Sequence, residues 1–232
     1  MGTLTIANIK AATAIQKLMP SWDDADIGLE RLREHFPSNT EQSDVLVKAS
    51  AIDKLYSTRA GNIYWVANAV VAAMKEAATP QANGERRTAV NIVDLVSQYK
   101  LEQHPGSRRC ASFASKYCHF FVDAANFPIY DSFALAAVKD LGGAQHGLTP
   151  HCSEYQDFCE RVARLRARDG LEDVGVRELD RFLWLWGQWL FQRGRGWTKP
   201  VINIDVYDVF RSKKPGVRRL VDALEPRDEQ VT

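Results

Sequence analysis

Apolar residues recur at intervals of three and four along most of the chain, the spacing of one helix face. Ile6, Ile9, Ala12, Ile15 and Leu18 form such a stripe between Leu4 and Met19, and Pro20 ends it. A second helix is predicted from about Asp23 to His35, with acids near its start and arginines toward its end, as a helix dipole favours. Pro37-Ser-Asn-Thr40 reads as a loop. Ser43 to Leu55 places Val45, Ala49, Ile52 and Leu55 on one face, with Ser43 as the predicted N-cap. The polar, glycine-bearing run from Tyr56 to Asn62 predicts a turn. Ile63 to Met74 then predicts a helix buried on most sides.

Pro80, Asn83 and Gly84 mark a loop across residues 78–85, and Thr88 to Tyr99 is amphipathic again. His104-Pro-Gly-Ser-Arg-Arg109 predicts a turn leading into the helix that holds Lys116. Ser132 to Leu141 predicts a helix closed by Gly142-Gly143, with a loop from Gln145 to Pro150 after it. Tyr155 to Arg168 is a basic amphipathic helix, and Gly175 to Phe191 a tryptophan-rich one. Beyond Arg193 the β-branched alternation of Pro200-Val-Ile-Asn-Ile-Asp-Val-Tyr207 predicts a short strand or extended arm. A brief helix from Val217 to Leu224 and a polar tail complete the chain. The expected fold class is therefore all-α. It has N-terminal helices over 1–42, a helical core over 43–191 and a basic C-terminal extension over 192–232.

A length of 232 residues fits one large domain or two small ones. With 45% hydrophobic and 25% charged residues the chain can bury an ordinary core, which excludes a disordered sequence. Its formal net charge of +1 leaves any nucleic-acid footprint to local patches. The opening Met-Gly-Thr-Leu-Thr-Ile has no basic segment followed by an apolar run, so no signal peptide is expected. No window approaches the roughly 18 apolar residues of a membrane span. The expectation is a soluble cytoplasmic protein with no membrane partner. Cys110, Cys118, Cys152 and Cys159 form no CxxC pair and are expected reduced and buried. Cys110, Cys118, His119, His151 and Cys152 have the chemistry of zinc ligands but match no zinc spacing, so no metal is expected.

The chemistry concentrates in Ser112-Phe-Ala-Ser-Lys-Tyr-Cys-His-Phe-Phe121 and Phe127-Pro-Ile-Tyr-Asp-Ser132. Helical spacing puts Phe113, Lys116 and Phe120 on one face, with Tyr117 and His119 on adjoining turns. Loss of hydration among aromatics favours the neutral amine, the state that attacks an electrophilic carbon such as C1′ of a deoxyribose. Asp131 follows an extended Pro-Ile-Tyr and precedes a helix. Backbone N–H groups and the helix dipole would hold its carboxylate there, where it could stabilise a sugar cation. Taken singly, each residue also fits a plainer role: a snorkelling lysine or a helix cap.

The string SFASKYCHFF…FPIYDSFA resembles the helix–hairpin–helix DNA glycosylase superfamily, and within it a bacterial group of 8-oxoguanine DNA glycosylase-like proteins. DVLVKASAIDKLYSTRAGNIYWVA and ELDRFLWLWGQWL are similar to that group as well, extending the likeness over residues 43–191. The resemblance implies a helical DNA glycosylase fold with two helical lobes around a central cleft. It also implies Lys116 as nucleophile, Asp131 as the catalytic carboxylate, and a phosphate grip at Pro105, Gly106 and Ser107. The family's glycine-x-glycine hairpin is reduced here to Gly106 alone, and the lysine-to-aspartate interval is shorter than in its best-known members.

Base excision requires a flipped base held by aromatics. The resemblance places the segments of Tyr56, Tyr130, Trp184 and Trp186 around the lysine and so implies these as candidate walls, although the tryptophans also fit a core role. Phosphate contacts are expected from Gly106, Ser107, Arg108 and Arg109, and from Arg195, Lys213 and Lys214 in the basic tail. A charge run of that kind is equally a solvated surface. The expected function is excision of oxidised guanine or a phage-type modified base by a monomer, with abasic-site lyase activity and no cofactor. Two alternatives stay open. One is a monofunctional glycosylase in which Lys116 only positions DNA; the other is a non-catalytic helical module that binds nucleic acid or protein.

Overall fold

The computed structural model describes residues 2–79, 88–103, 110–142, 153–197 and 199–228. Within them the chain is all-helical, apart from two-residue strands near its ends. Strand β1 (Gly2–Thr3) pairs antiparallel with β2 (Arg227–Asp228), Gly2 opposite Asp228 and Thr3 opposite Arg227. Between them run α1 (Ile6–Gln16), α2 (Pro20–His35), α3 (Gln42–Tyr56), α4 (Ile63–Ala78), α5 (Ala89–Gln103) and α6 (Ala111–Phe121). There follow α7 (Ser132–Gly142), α8 (Glu154–Arg168), α9 (Val176–Gly194), α10 (Ile204–Arg211) and α11 (Pro215–Asp222). No helix among the described residues is long and apolar enough to cross a membrane.

Local chemistry explains most helix starts. Thr5 and Asn8 form a capping box at α1, each side chain taking the other's backbone N–H. Pro20 ends the first apolar stripe and also opens α2, because proline's missing N–H costs nothing in a helix's first turn. The predicted N-cap at Ser43 is corrected: Glu41 occupies that position, and Ser43 lies inside the first turn of α3. The turn is fastened instead by Ser38, whose hydroxyl accepts the N–H groups of Thr40 and Glu41, while Asp44 accepts the N–H of Ser38. Asn62 caps α4 through the N–H groups of Tyr64 and Trp65. Those two aromatics stand 53% and 42% exposed, so α4 is buried on fewer sides than its composition predicts.

The predicted strand or arm at 200–207 is also corrected. Asn203 accepts the N–H groups of Asp205 and Val206, and α10 begins there. Val206, Tyr207, Val209 and Phe210 are buried together, a helical spacing that outweighs the β-branched alternation. The predicted loop at 145–150 and most of that at 78–85 fall outside the described residues, as does the turn at 104–109.

The chain forms two compact units. The α6 unit comprises Ala25–Tyr130 with Ser153–Gln156, and in it α3 packs on α4, α4 on α5, and α5 and α3 on α6. The α9 unit comprises the described residues of Met1–Asp24, Asp131–Cys152 and Asp157–Thr232, with α7, α1 and α10 against α9 and α11 against α1. Leu179, Phe182, Leu183, Leu185 and Trp186 of α9 are buried, each such side chain contributing about 1.5–3 kcal/mol relative to exposure. The α7–α9 crossing depends on Gly187, where a Cβ would overlap the Phe133 carbonyl.

Candidate active site around Lys116

Helix α6 is buried along nearly its whole length, Ser112 being its one half-buried residue. Lys116 is 3% exposed, so its amine must find polar partners inside the unit. Its Nζ donates to Ser112 Oγ at 3.1 Å, one turn back on the helix, and to the Tyr130 carbonyl oxygen at 3.5 Å. The Tyr56 ring faces the amine, its centroid 5.9 Å away. Tyr56 is fixed in turn by Phe120, at 5.4 Å between ring centroids, and by its hydroxyl donating to Asp26 Oδ1 at 3.4 Å. The chain then reverses through Ser57, Arg59 and Gly61, all with positive φ.

The segment from Phe127 to Tyr130 is tied down at several points. His119 Nδ1 lies 2.8 Å from the Phe127 carbonyl oxygen, and the Tyr155 hydroxyl donates to the Pro128 carbonyl at 3.0 Å. Tyr130 N–H donates to Ser115 Oγ at 3.0 Å. The Ser115 hydroxyl lies 3.2 Å from the Ser112 carbonyl and 3.4 Å from that of Tyr130. The Tyr130 ring meets Tyr155 edge-on, and its hydroxyl reaches Glu154 at 3.5 Å.

Asp131, the next residue, belongs to the α9 unit and caps α7. Its Oδ1 accepts the N–H groups of Phe133 at 3.0 Å and Ala134 at 2.9 Å. Both bonds are those of a helix N-cap, satisfying two N–H groups of the first turn of α7. Of the four candidate aromatics, Tyr56 faces Lys116 with its ring and Tyr130 meets it through its backbone carbonyl, both in the α6 unit, whereas Trp184 and Trp186 belong to the α9 unit. Trp184 packs on Trp22 at 4.4 Å between centroids. Trp186 is buried, and its indole N–H donates to Asp140 Oδ2 at 2.9 Å. Gly106, Ser107, Arg108 and Arg109 lie outside the described residues. Arg195, Lys213 and Lys214 are exposed on the α9 unit. Nearby, Arg193 pairs with Glu225 and Arg218 with Asp222, both at solvent-exposed positions worth little each.

Sequence reasoning missed Lys48. It is fully buried in α3, and its Nζ donates to the Ser38 carbonyl and to Asn39 Oδ1, both at 2.7 Å. The Tyr117 hydroxyl donates to the same Asn39 oxygen at 2.8 Å, while Asn39 Nδ2 donates to the Phe121 carbonyl at 2.9 Å. Burial pulls the Lys48 ammonium down from 10.5 to about 8, with Asp44 opposing. The signal was present in the sequence, because Lys48 falls on the stripe of Val45, Ala49 and Ile52. Ser112 and Ser115 were likewise read only as parts of a motif.

Cys110 and Cys118 are buried free thiols, and burial pushes both upward in pKa; Cys159 is half-buried rather than buried. Cys152 lies outside the described residues. Among the described residues no group of three His, Cys, Asp or Glu side chains could hold a metal ion.

Among known proteins, a family model described as HI_0787_N, N-terminal domain, matches residues 8–125, the stretch that carries Lys48, Tyr56 and Lys116. No curated protein and no solved structure matches the chain.

Proposed function

The chain belongs to the HI_0787_N family through its N-terminal domain, and we propose that it is a DNA N-glycosylase with abasic-site lyase activity. The observation that carries this reading is the buried Lys116 amine, held by Ser112 Oγ and the Tyr130 carbonyl under the Tyr56 ring. An amine held in this way is placed to act as a nucleophile on an electrophilic carbon.

In the proposed reaction a modified base is flipped out of the duplex. Nζ of Lys116 bonds to C1′ as the bond from C1′ to the base breaks, and the base departs with that electron pair and gains a proton. Loss of a proton from nitrogen and opening of the C1′–O4′ bond give the Schiff base. Removal of a C2′ proton then expels the 3′ phosphate by β-elimination. Asp131 stabilises the cationic sugar, a role that suits a carboxylate placed at a helix start. The chemistry calls for neither a metal nor an organic cofactor. Oxidised guanine and phage-type modified bases are the proposed substrates, and a helical DNA glycosylase fold with a central cleft is part of the same proposal. The exposed Arg195, Lys213 and Lys214 suit phosphate contact.

The test is a panel of duplexes, each carrying one modified base, scored for release of the free base. Release from at least one duplex is expected, with the strand cut at the same site. If base is released at native rates by Lys116→Gln, the nucleophile is assigned to the wrong residue.

A further inference from the structure

Ser115 sits on α6 between Ser112 and Lys116, and its side-chain hydrogen bonds go to the backbone of Ser112 and Tyr130. Its hydroxyl accepts the Tyr130 N–H at 3.0 Å, and its own proton lies within reach of two carbonyls, Tyr130 at 3.4 Å and Ser112 at 3.2 Å. The Tyr130 carbonyl is also an acceptor for Lys116 Nζ, and Ser112 supplies the other acceptor through its hydroxyl. One fully buried hydroxyl therefore meets the backbone of both residues that hold the amine.

We propose that Ser115 is a positioning residue that orients the Lys116 amine by clasping the Tyr130 peptide, rather than a residue that merely fills the α6 core. The inference rests on Lys116 being the reactive group named above. A serine inside a helix ordinarily turns its hydroxyl back to a carbonyl of its own preceding turn. Here the hydroxyl also takes the N–H of Tyr130, fifteen positions along the chain, and lies 3.4 Å from its carbonyl, so Tyr130 is held on both sides of its Cα where Lys116 reaches the carbonyl. Without the clasp the carbonyl is free to turn, and the amine loses one of the acceptors that aim it. Small misplacements of a nucleophile are costly, because bond formation requires near-contact and alignment.

The test compares native protein with Ser115→Ala and Ser115→Thr in three measurements. These are thermal melting, borohydride trapping on a duplex with an abasic site, and reductive methylation of Lys116 followed by peptide mass spectrometry. Lys139, which is exposed, serves as the internal reference for methylation. Ser115→Ala is expected to melt close to native. It should trap at least tenfold more slowly, while Lys116 methylation rises at least threefold as the amine is released. Ser115→Thr, which keeps the hydroxyl, should return both rates to within threefold of native. Native-like methylation in a well-folded Ser115→Ala protein overturns the clasp. If Ser115→Ala does not fold, Ser115→Cys keeps the volume with a weak hydrogen-bonding group and is read by the same criteria. Should the native protein fail to trap while methylation responds as expected, the lyase reading falls and the clasp stands.

Discussion

The Lys116 amine donates to the hydroxyl of Ser112 at 3.1 Å, one helical turn earlier, with Ser112 the one half-buried residue of an otherwise buried helix. A buried amine so placed is held by its own helix. Replacing Ser112 by alanine removes an acceptor without opening a large cavity. Loss of one such hydrogen bond is worth about 1 kcal/mol, so borohydride trapping on an abasic duplex should slow by roughly five- to tenfold. Thermal melting, run in parallel, should change little.

Asp131 combines a cap with a charge, and two substitutions separate them. Asp131→Asn keeps an oxygen for the N–H groups of Phe133 and Ala134, and asparagine caps about as well as aspartate. Its stability should stay within about 0.5 kcal/mol of native, whereas Asp131→Ala should cost about 1 kcal/mol. Under the proposed chemistry both variants lose at least a hundredfold in base release. Equal release by native protein and Asp131→Asn would reduce the residue to a cap.

Lys48 gives the fold a pH dependence of known sign. Unfolded, it titrates at the ordinary 10.5; folded, at about 8. Between those values the unfolded chain binds more protons, so unfolding free energy rises with pH in that window. Below pH 8 the buried ammonium carries its full desolvation cost. Tyr117 and Cys118, pushed upward by burial, act in the opposite sense at high pH. Comparison with Lys48→Met isolates the lysine. Chemical denaturation at pH 8 and 9.5 should show native protein gaining on the variant by the order of 1–2 kcal/mol, and a flat difference would refute the burial account.

Gly187 is required by contact rather than by backbone angle. A methyl group there would overlap the Phe133 backbone at the α7–α9 crossing, and neither partner is a flexible side-chain end. Gly187→Ala should therefore destabilise the protein by about 1–3 kcal/mol or more, the range of core overpacking. A fall in melting temperature of several degrees is the expected reading.

If Arg195, Lys213 and Lys214 meet phosphates, each neutralising substitution should weaken binding similarly on every duplex sequence. It should also flatten the slope of log K against log salt by about 0.9 for each phosphate left without its cation. An unchanged slope in the triple alanine variant would assign these side chains to solvent.

The helical architecture was legible because apolar stripes such as Val45, Ala49 and Ile52 repeat at the period of a helix and need no partner to be seen. The α10 segment was not, since Val-Ile-Asn-Ile-Asp-Val-Tyr satisfies both an alternating and a helical pattern. Only the cap at Asn203 and the joint burial of Val206, Tyr207, Val209 and Phe210 separate them. Lys116 was visible as a cation among aromatics. Its partners were less so: Ser112 reads as an ordinary polar position, and the Tyr130 carbonyl is a backbone atom that no side-chain pattern records. Lys48 was hidden because lysine counts as polar in any periodicity, although its stem and amine close the junction of α3, Asn39 and α6.

The most direct measurement is borohydride trapping of the purified protein on a duplex carrying an abasic site, with Lys116→Gln and Lys48→Gln alongside. A covalent protein–DNA adduct with the native chain and Lys48→Gln, its mass placing the sugar on Lys116, and none with Lys116→Gln is the predicted result. No adduct with the native chain, or an undiminished adduct with Lys116→Gln, would contradict the assignment of Lys116 as the nucleophile.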